Sequence, residues 1–391
     1  VTRSWRGVLA IAAWQVSASA TYYAVFAATS VFRETYDLSG FEVGLVVSVL
    51  TLGYTVFLFP MGAVVDAYGD RPAMVGGLVG LAAGTVGVVL SGTAESYLGL
   101  LVAVFALGAA YATGMPATNR AVAARAPRGR YNLAVGLKQV GVTLGSAVAA
   151  VLVTGLAARG FAWSAGFEVV AAAAVCVAAG FAVAYRGTSG TGTVSLPDLR
   201  GLAENRLLVV LAASGFFLGA AVFTTTGYAV PYTEDATNAS RALAGGLLAL
   251  MQVAGSVGRV GAGSIADRIP GTDAGASLRV LVVQTGVAGV LLVALPAVGR
   301  PGLVVAFAGL GLALLGFTGL YHGAVTALAP DGQSGAATAA AQLTLNVGGL
   351  LAPPTFGYVA DTAGYATGWS LLGAGVLVST LLVGGALRAA D

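Results

Sequence analysis

Twelve stretches of mostly apolar residues, each about the ~20 residues that a bilayer-crossing helix needs, run through this sequence with short polar joints between them. They lie near 7–30, 43–64, 72–93, 97–120, 132–157 and 164–185, and then near 207–230, 241–265, 278–298, 302–327, 335–360 and 366–387. Charge excludes a soluble fold of this size. Nineteen basic and sixteen acidic residues among 391, or 9% charged, cannot cover a water-facing surface that in soluble domains draws on about 25%. Lipid must be the solvent for much of the exterior. The 58 glycines fit that solvent, because helices in a bilayer associate through small residues that let their backbones approach. The fold class expected is an all-α polytopic membrane protein of twelve transmembrane helices.

The longest polar connection, Arg186 to Arg206, holds Gly187, Ser189, Gly190, Gly192 and Pro197. It reads as a linker, dividing the chain into six-helix bundles at 1–186 and 207–391 with a cytoplasmic linker at 187–206. Basic residues set the orientation. With the amino terminus cytoplasmic, the inner side receives Arg3, Arg6, Arg71, Arg120, Arg125, Arg128, Arg130, Arg186, Arg200, Arg206, Arg268, Arg279 and Arg388. The outer side receives Arg33, Arg159, Arg241 and Arg300. Both termini are therefore expected in the cytoplasm, in a cytoplasmic (inner) membrane, with no cleavable leader needed. The cluster Arg125, Arg128, Arg130 reads as part of this bias and not as a nucleic-acid site.

The two halves echo each other. Gly62-Ala-Val-Val-Asp66 matches Gly263-Ser-Ile-Ala-Asp267, and Ala126-Pro127-Arg128-Gly129 matches Ala329-Pro330-Asp331-Gly332. Gln139 and Gly145 then fall on Gln342 and Gly348. Tandem six-helix repeats are an architecture of secondary transporters.

One motif carries a family resemblance. After the second span the chain reads Gly62-Ala-Val-Val-Asp66-Ala-Tyr-Gly69-Asp-Arg71, which resembles the G-x-x-x-D-x-x-G-x-R loop of the major facilitator superfamily. The resemblance covers helix count, halves, linker and motif position. It implies two bundles rocking about a central cavity, with Gly62, Asp66, Gly69 and Arg71 as a conformational latch, echoed by Gly263, Asp267 and Arg268. Gly62 would let a neighbouring helix pack close, and Asp66 would accept helix-start amides or pair with a basic side chain.

Two charges lie within the spans, where a charge at the bilayer centre costs ~2.5–3.5 kcal/mol on the lenient scale. Lys138 is about seven residues into the fifth span, and Arg259 about six before the end of the eighth, each ~10 Å deep at 1.5 Å per residue. No carboxylate stands at that depth, since Glu168 is near an outer end and Asp66 and Asp267 belong to loops. An anionic solute is the economical answer, with Arg259 offering a fork and Lys138 a mobile point charge. The setting Gly255-Ser-Val-Gly258-Arg259-Val-Gly-Ala-Gly263 resembles the eighth helix of monocarboxylate and oxalate/formate-type carriers, in which an arginine engages the anion. Nitrate carriers pair that arginine with a second one; here the corresponding residue is Leu58, which demotes nitrate. Snorkelling to the interface is the bland alternative for both residues.

Tyr22, Tyr23, Asn119, Tyr228, Tyr321 and His322 are the further candidates for lining a cavity. The sole histidine is the candidate proton relay, with protons as the candidate coupling ion; burial with one hydrogen bond is its bland alternative. Gln342 and Asn346 read first as interhelical hydrogen bonds, Cys176 as packing, and Gly76, Gly80 and Gly84 as a close helix contact in the third span. One histidine and one cysteine offer no zinc site, and no cofactor is implied. The expectation is a monomeric secondary transporter, not an enzyme, whose partners are the bilayer and a small, organic-anion solute. Its rivals are proton-driven export of lipophilic compounds and a non-transporting solute sensor. Ala/Gly/Val-rich usage suggests a prokaryote with a GC-rich genome.

Overall fold

A helix crossing a bilayer must satisfy its own backbone, so hydrophobic runs of this length become helices. The computed structural model describes residues 3–128, 130–192, 204–330 and 333–390. Gly129, Pro197, Arg200, Asp331 and Gly332, which entered the sequence reading, lie outside the described residues. The spanning helices are α1 (Trp5–Ala27), α2 (Gly40–Tyr68), α3 (Asp70–Thr93), α4 (Tyr97–Arg125), α5 (Tyr131–Ala158) and α6 (Ala165–Ala184). They continue with α7 (Arg206–Thr237), α8 (Arg241–Ala266), α9 (Asp273–Ala294) and α10 (Arg300–Leu328). The last helical stretch, Ser334–Ala390, has 57 residues, or ~86 Å at 1.5 Å each, against a hydrocarbon core of ~30 Å. It breaks at Gly364, whose φ of +82° is open to glycine, giving α11 (334–363) and α12 (365–390). Twelve spans result among the described residues.

Caps set several starts. Ser4 accepts from Gly7 N, Ser96 from Gly99 N, Thr272 from Gly275 N, and Asn205 from the amides of Leu207 and Leu208. Ser39 and Glu42 form a reciprocal capping box: Ser39 Oγ accepts from Glu42 N at 3.3 Å and the Glu42 carboxylate from Ser39 N at 2.9 Å. Three expected runs are less regular than the sequence suggested. The first ends at Ala27 and is followed by a short helix, Thr29–Tyr36. In α4 the helix is interrupted between Tyr111 and Gly114, and in α10 by a π turn over Gly311–Leu315.

Contacts divide the chain into two units. One comprises Val1–Leu38, Val49–Leu196 and Ser240–Ala249; the other comprises Ser39–Ser48, Pro197–Ala239 and Leu250–Asp391. The internal repeat is written into the packing of each. In the first unit a Cβ at Gly145 would run into the carbonyl of Val16, and one at Gly108 into that of Leu50. In the second unit Gly348 and Gly311 meet the carbonyls of Phe216 and Met251 in the same way. The glycine pairs are 203 residues apart (348 − 145 and 311 − 108), and their partners 200 and 201 apart (216 − 16 and 251 − 50).

Two packing expectations change. On α3 the stripe that meets α4 is Gly77, Gly80, Gly84 and Gly87, against Thr113, Ala110, Leu107 and Ala103. Gly76 lies off that stripe, its Cβ position open. Cys176 is exposed on α6, not packed.

Candidate functional site

In the first unit the fifth helix delivers Lys138 into the interior, because Gly141 and Gly145 bring α5 against α1. Lys138 is 2% exposed and donates from Nζ to Asn119 Oδ1 on α4 at 2.7 Å. Among the described residues no carboxylate lies within ion-pair distance of it. Next to Asn119, Thr118 is 3.5 Å from Gln15 Oε1, and Gln15 Nε2 donates to Ser19 Oγ at 3.1 Å. Ser19 shares a 3.0 Å hydrogen bond with the Tyr111 hydroxyl. Tyr111 stacks on Tyr22 with centroids 4.1 Å apart, and Tyr23 and Tyr54 complete the aromatic cluster. Two polar arrangements result: the Lys138–Asn119 pair, and a chain from Thr118 through Gln15 and Ser19 to four clustered tyrosines.

In the second unit Arg259 is half-buried, and its Nε donates to the carbonyl of Leu315 at 3.0 Å. Leu315 closes the π turn of α10. Seven residues on, His322 lies beside Gln342 and in the field of Arg259. Gln342 Nε2 in turn donates to Asn346 Oδ1 at 2.9 Å. His322 Nδ1 and Asn346 Nδ2 are buried and have no hydrogen-bond partner among the described residues. Arginine, imidazole and two amides therefore form one cluster from α8, α10 and α11. Tyr228 and Tyr321 are otherwise engaged. The Tyr228 hydroxyl donates to the carbonyls of Gly40 and Pro353, and Tyr321 to that of Leu211, so both tie helices together.

The α2–α3 turn holds a third cluster. Gly69 has φ +89°, which a side chain would strain, and a Cβ there would strike the carbonyl of Thr188. Asp66 pairs with Arg120 at 3.1 Å, and Arg120 also donates to Thr188 Oγ1 and the Ser189 carbonyl. Arg71 donates to the Ala182 carbonyl. Beneath lies a pair that the sequence reading did not single out. Asp70, fully buried, accepts from Arg125 at 3.5 Å, from the Tyr185 hydroxyl at 2.9 Å and from Thr188 N at 2.6 Å. The Arg125 guanidinium covers the Tyr185 ring at 4.1 Å and donates to the Arg186 carbonyl. Burial, reinforced by Asp70, pushes the Tyr185 hydroxyl well above its usual range. Arg120 and Arg125 are therefore members of a network and not bare topology charges. A Cβ at Gly62 or Gly263 would meet nothing within 4 Å, so close helix approach is not what either glycine provides here. Asp267 and Arg268 are exposed, and neither side chain has a partner among the described residues.

The profile of the Major Facilitator Superfamily matches residues 9–353. The chain belongs to that superfamily. It is a multi-pass membrane transporter, as its relatives are named: an uncharacterized MFS-type transporter of Mycobacterium tuberculosis is 26% identical over 345 residues, 87% of this chain and 76% of that protein. Monocarboxylate transporter 13 of Bos taurus is 28% identical over 354 residues, covering 85% and 79%. Among solved structures, a bacterial homolog of the human lysosomal transporter Spinster, inward-facing and occupied, superimposes with a TM-score of 0.78 at 14% identity, covering 97% and 96%. The nucleoside transporter NupG gives 0.80, also at 14% identity, covering 97% and 99%. These two likenesses show the fold alone.

In this superfamily member, then, the candidate residues fall into clusters of different kinds. Lys138 pairs with Asn119; Tyr22 and Tyr23 belong to the aromatic cluster; Arg259 and His322 lie with Gln342 and Asn346. Asp70 and Tyr185 went unread because Asp70 occupies an unspecified position of the motif and its partners stand 55 and 115 residues away. The one available signal was an acid at the very start of an apolar span.

Proposed function

We propose that this transporter is a secondary active carrier of a small organic anion, of monocarboxylate type, across the cytoplasmic membrane. On this reading both termini lie in the cytoplasm, and two six-helix bundles (1–186 and 207–391), joined by the 187–206 linker, alternate access to a midplane site. The observation that carries the anionic cargo is Lys138, a basic group 2% exposed and answered by one neutral amide oxygen. Arg259 supplies a guanidinium, which stays charged in proteins. A fork and a point charge together suit a carboxylate. The bovine relative named as a monocarboxylate transporter agrees with that chemistry. His322 is the proposed proton-handling group, and Tyr22, Tyr23 and Asn119 line the path of the solute.

The test is uptake into proteoliposomes of labelled acetate, pyruvate, lactate, oxalate and benzoate, with uridine and a cationic dye as controls. Arg259→Ala should reduce acid uptake by at least ~100-fold, the scale of losing a charge-assisted pair of about 3 kcal/mol, at unchanged abundance; Lys138→Met should reduce it ~10-fold. Uptake unaffected by both changes would remove the anionic cargo and leave the carrier.

A further inference from the structure

The two units make the same backbone contact between their equivalent helices, α2 with α4 and α8 with α10, yet they build it differently. In the first unit Gly108 meets the Leu50 carbonyl inside a regular stretch of α4, Tyr97–Tyr111, and the position matching Arg259 at an offset of 201 is Leu58. In the second unit Gly311 meets the Met251 carbonyl at the start of the π turn, Gly311–Leu315. Only there does the partner helix carry a basic residue. Wide turn and arginine come together.

The wide turn has a local consequence. Its carbonyls take side-chain donors from two neighbouring helices: Leu312 O accepts from Gln284 Nε2 of α9 at 3.2 Å, and Leu315 O accepts from Arg259 Nε of α8 at 3.0 Å. Single-turn π bulges inside α-helices recur at functional sites. The approach is enforced by glycines on both sides. A Cβ at Gly258 would overlap the Leu312 carbonyl, one at Gly316 would come within 3.0 Å of the Gly258 carbonyl carbon, and one at Gly255 within 2.7 Å of Leu315 Cβ. Arg259 follows Gly258 directly, so the closeness of the crossing determines where its side chain starts, and the Leu315 carbonyl determines how its guanidinium is turned. A guanidinium is planar, so fixing Nε fixes the plane of the fork.

We propose that the π turn of α10 is the positioning element for Arg259: the Leu315 carbonyl, brought within reach by Gly258 and Gly316, holds Nε and orients the fork that receives the solute's carboxylate. This rests on the anionic reading above, in which Arg259 binds cargo, and goes beyond it by naming what aims the arginine. A pre-oriented fork binds better because less rotamer freedom is lost on binding. Lysine at the same place keeps the charge and loses both the Nε donor and the plane.

Two measurements test it. The first needs no cargo: NMR of the purified carrier labelled with ¹⁵N-arginine, assigning the Arg259 Nε–H as the signal lost in Arg259→Lys. Exchange of that proton should be slowed in the wild type and at least ~10-fold faster in Gly258→Ala, because the added methyl displaces Leu312 and with it the turn. The second is uptake of labelled pyruvate. Gly258→Ala and Arg259→Lys should each raise KM about tenfold with the maximal rate within about twofold, the signature of lost binding geometry, while Gly261→Ala, whose Cβ meets open space, should match the wild type. An unprotected Nε–H in the wild type, or an Arg259→Lys carrier with wild-type KM, overturns the proposal. If Gly258→Ala does not fold, the wild-type exchange rate and the lysine variant still decide. The two readings fail separately: transport unaffected by both Arg259→Ala and Lys138→Met sinks the anionic one, whereas transport lost in Arg259→Ala but indifferent to Arg259→Lys sinks only the positioning.

Discussion

The α2–α3 turn and the α8–α9 connection begin from the same short text, glycine with aspartate four residues on, and end as different structures. At the first, Asp66 and Asp70 anchor Arg120 and Arg125, and the chain from Arg186 to Gly192 is drawn across the turn. Thr188 N reaches Asp70, while Thr191 N and Gly192 N reach the carbonyls of Asp66 and Ala67. At the second, Asp267 and Arg268 are exposed. The reason is in the partners. The repeat offset of 203 carries Arg120 and Arg125 onto Gly323 and Leu328, so the second unit keeps the aspartate and lacks, at those positions, the two arginines that anchor the first turn. A repeated motif conserves a position; whether it becomes a latch depends on residues outside the motif.

That contrast can be broken at its strongest point. Arg125→Ala leaves the buried Asp70 carboxylate without its counter-charge, and removing one member of a buried pair costs about 3–5 kcal/mol. The expected outcome is a large fall in the thermal midpoint of the purified protein, or no folded protein. A midpoint within the error of the wild type would mean that Asp70 and Arg125 contribute nothing.

A smaller effect sharpens the comparison. Arg120→Ala removes the exposed ion pair to Asp66 and both ties to the segment after α6. Exposed pairs are worth ~0–1 kcal/mol, so global stability should barely move. Trypsin cleavage after Arg186 should nevertheless speed up about fivefold, the factor corresponding to ~1 kcal/mol of local opening. The smallest effect belongs to the second unit. Asp267→Asn should change stability by less than about 0.5 kcal/mol, and a larger loss would expose a partner that this arrangement does not have.

Much of this was legible from the sequence. The twelve spans could be read because hydrophobic length is a local property, and the repeat could be read because glycines at helix contacts tolerate nothing else: Gly145 and Gly348, matched as letters, make the same contact in the two units. The interruptions of α4 and α10 were hidden, since Gly, Ala and Leu fill a π turn as readily as an α-helix. The Asp70–Arg125 pair was hidden for a different reason. Arginines near helix ends already had an explanation in topology, and a pairing across 55 residues leaves no periodic trace. Tyr228 and Tyr321 looked like cavity residues because a hydroxyl in an apolar helix advertises polarity without revealing which carbonyl takes it.

The proposed negative charge of the cargo is tested most directly by comparing an acid with its neutral isostere. Competition against labelled pyruvate uptake by lactate and by lactamide, which differ only in carboxylate against amide, isolates that charge. The wild type should prefer lactate by ~100-fold or more, as expected for a charge-assisted pair, and Arg259→Gln should erase most of the preference. Lactamide competing as well as lactate in the wild type would contradict it.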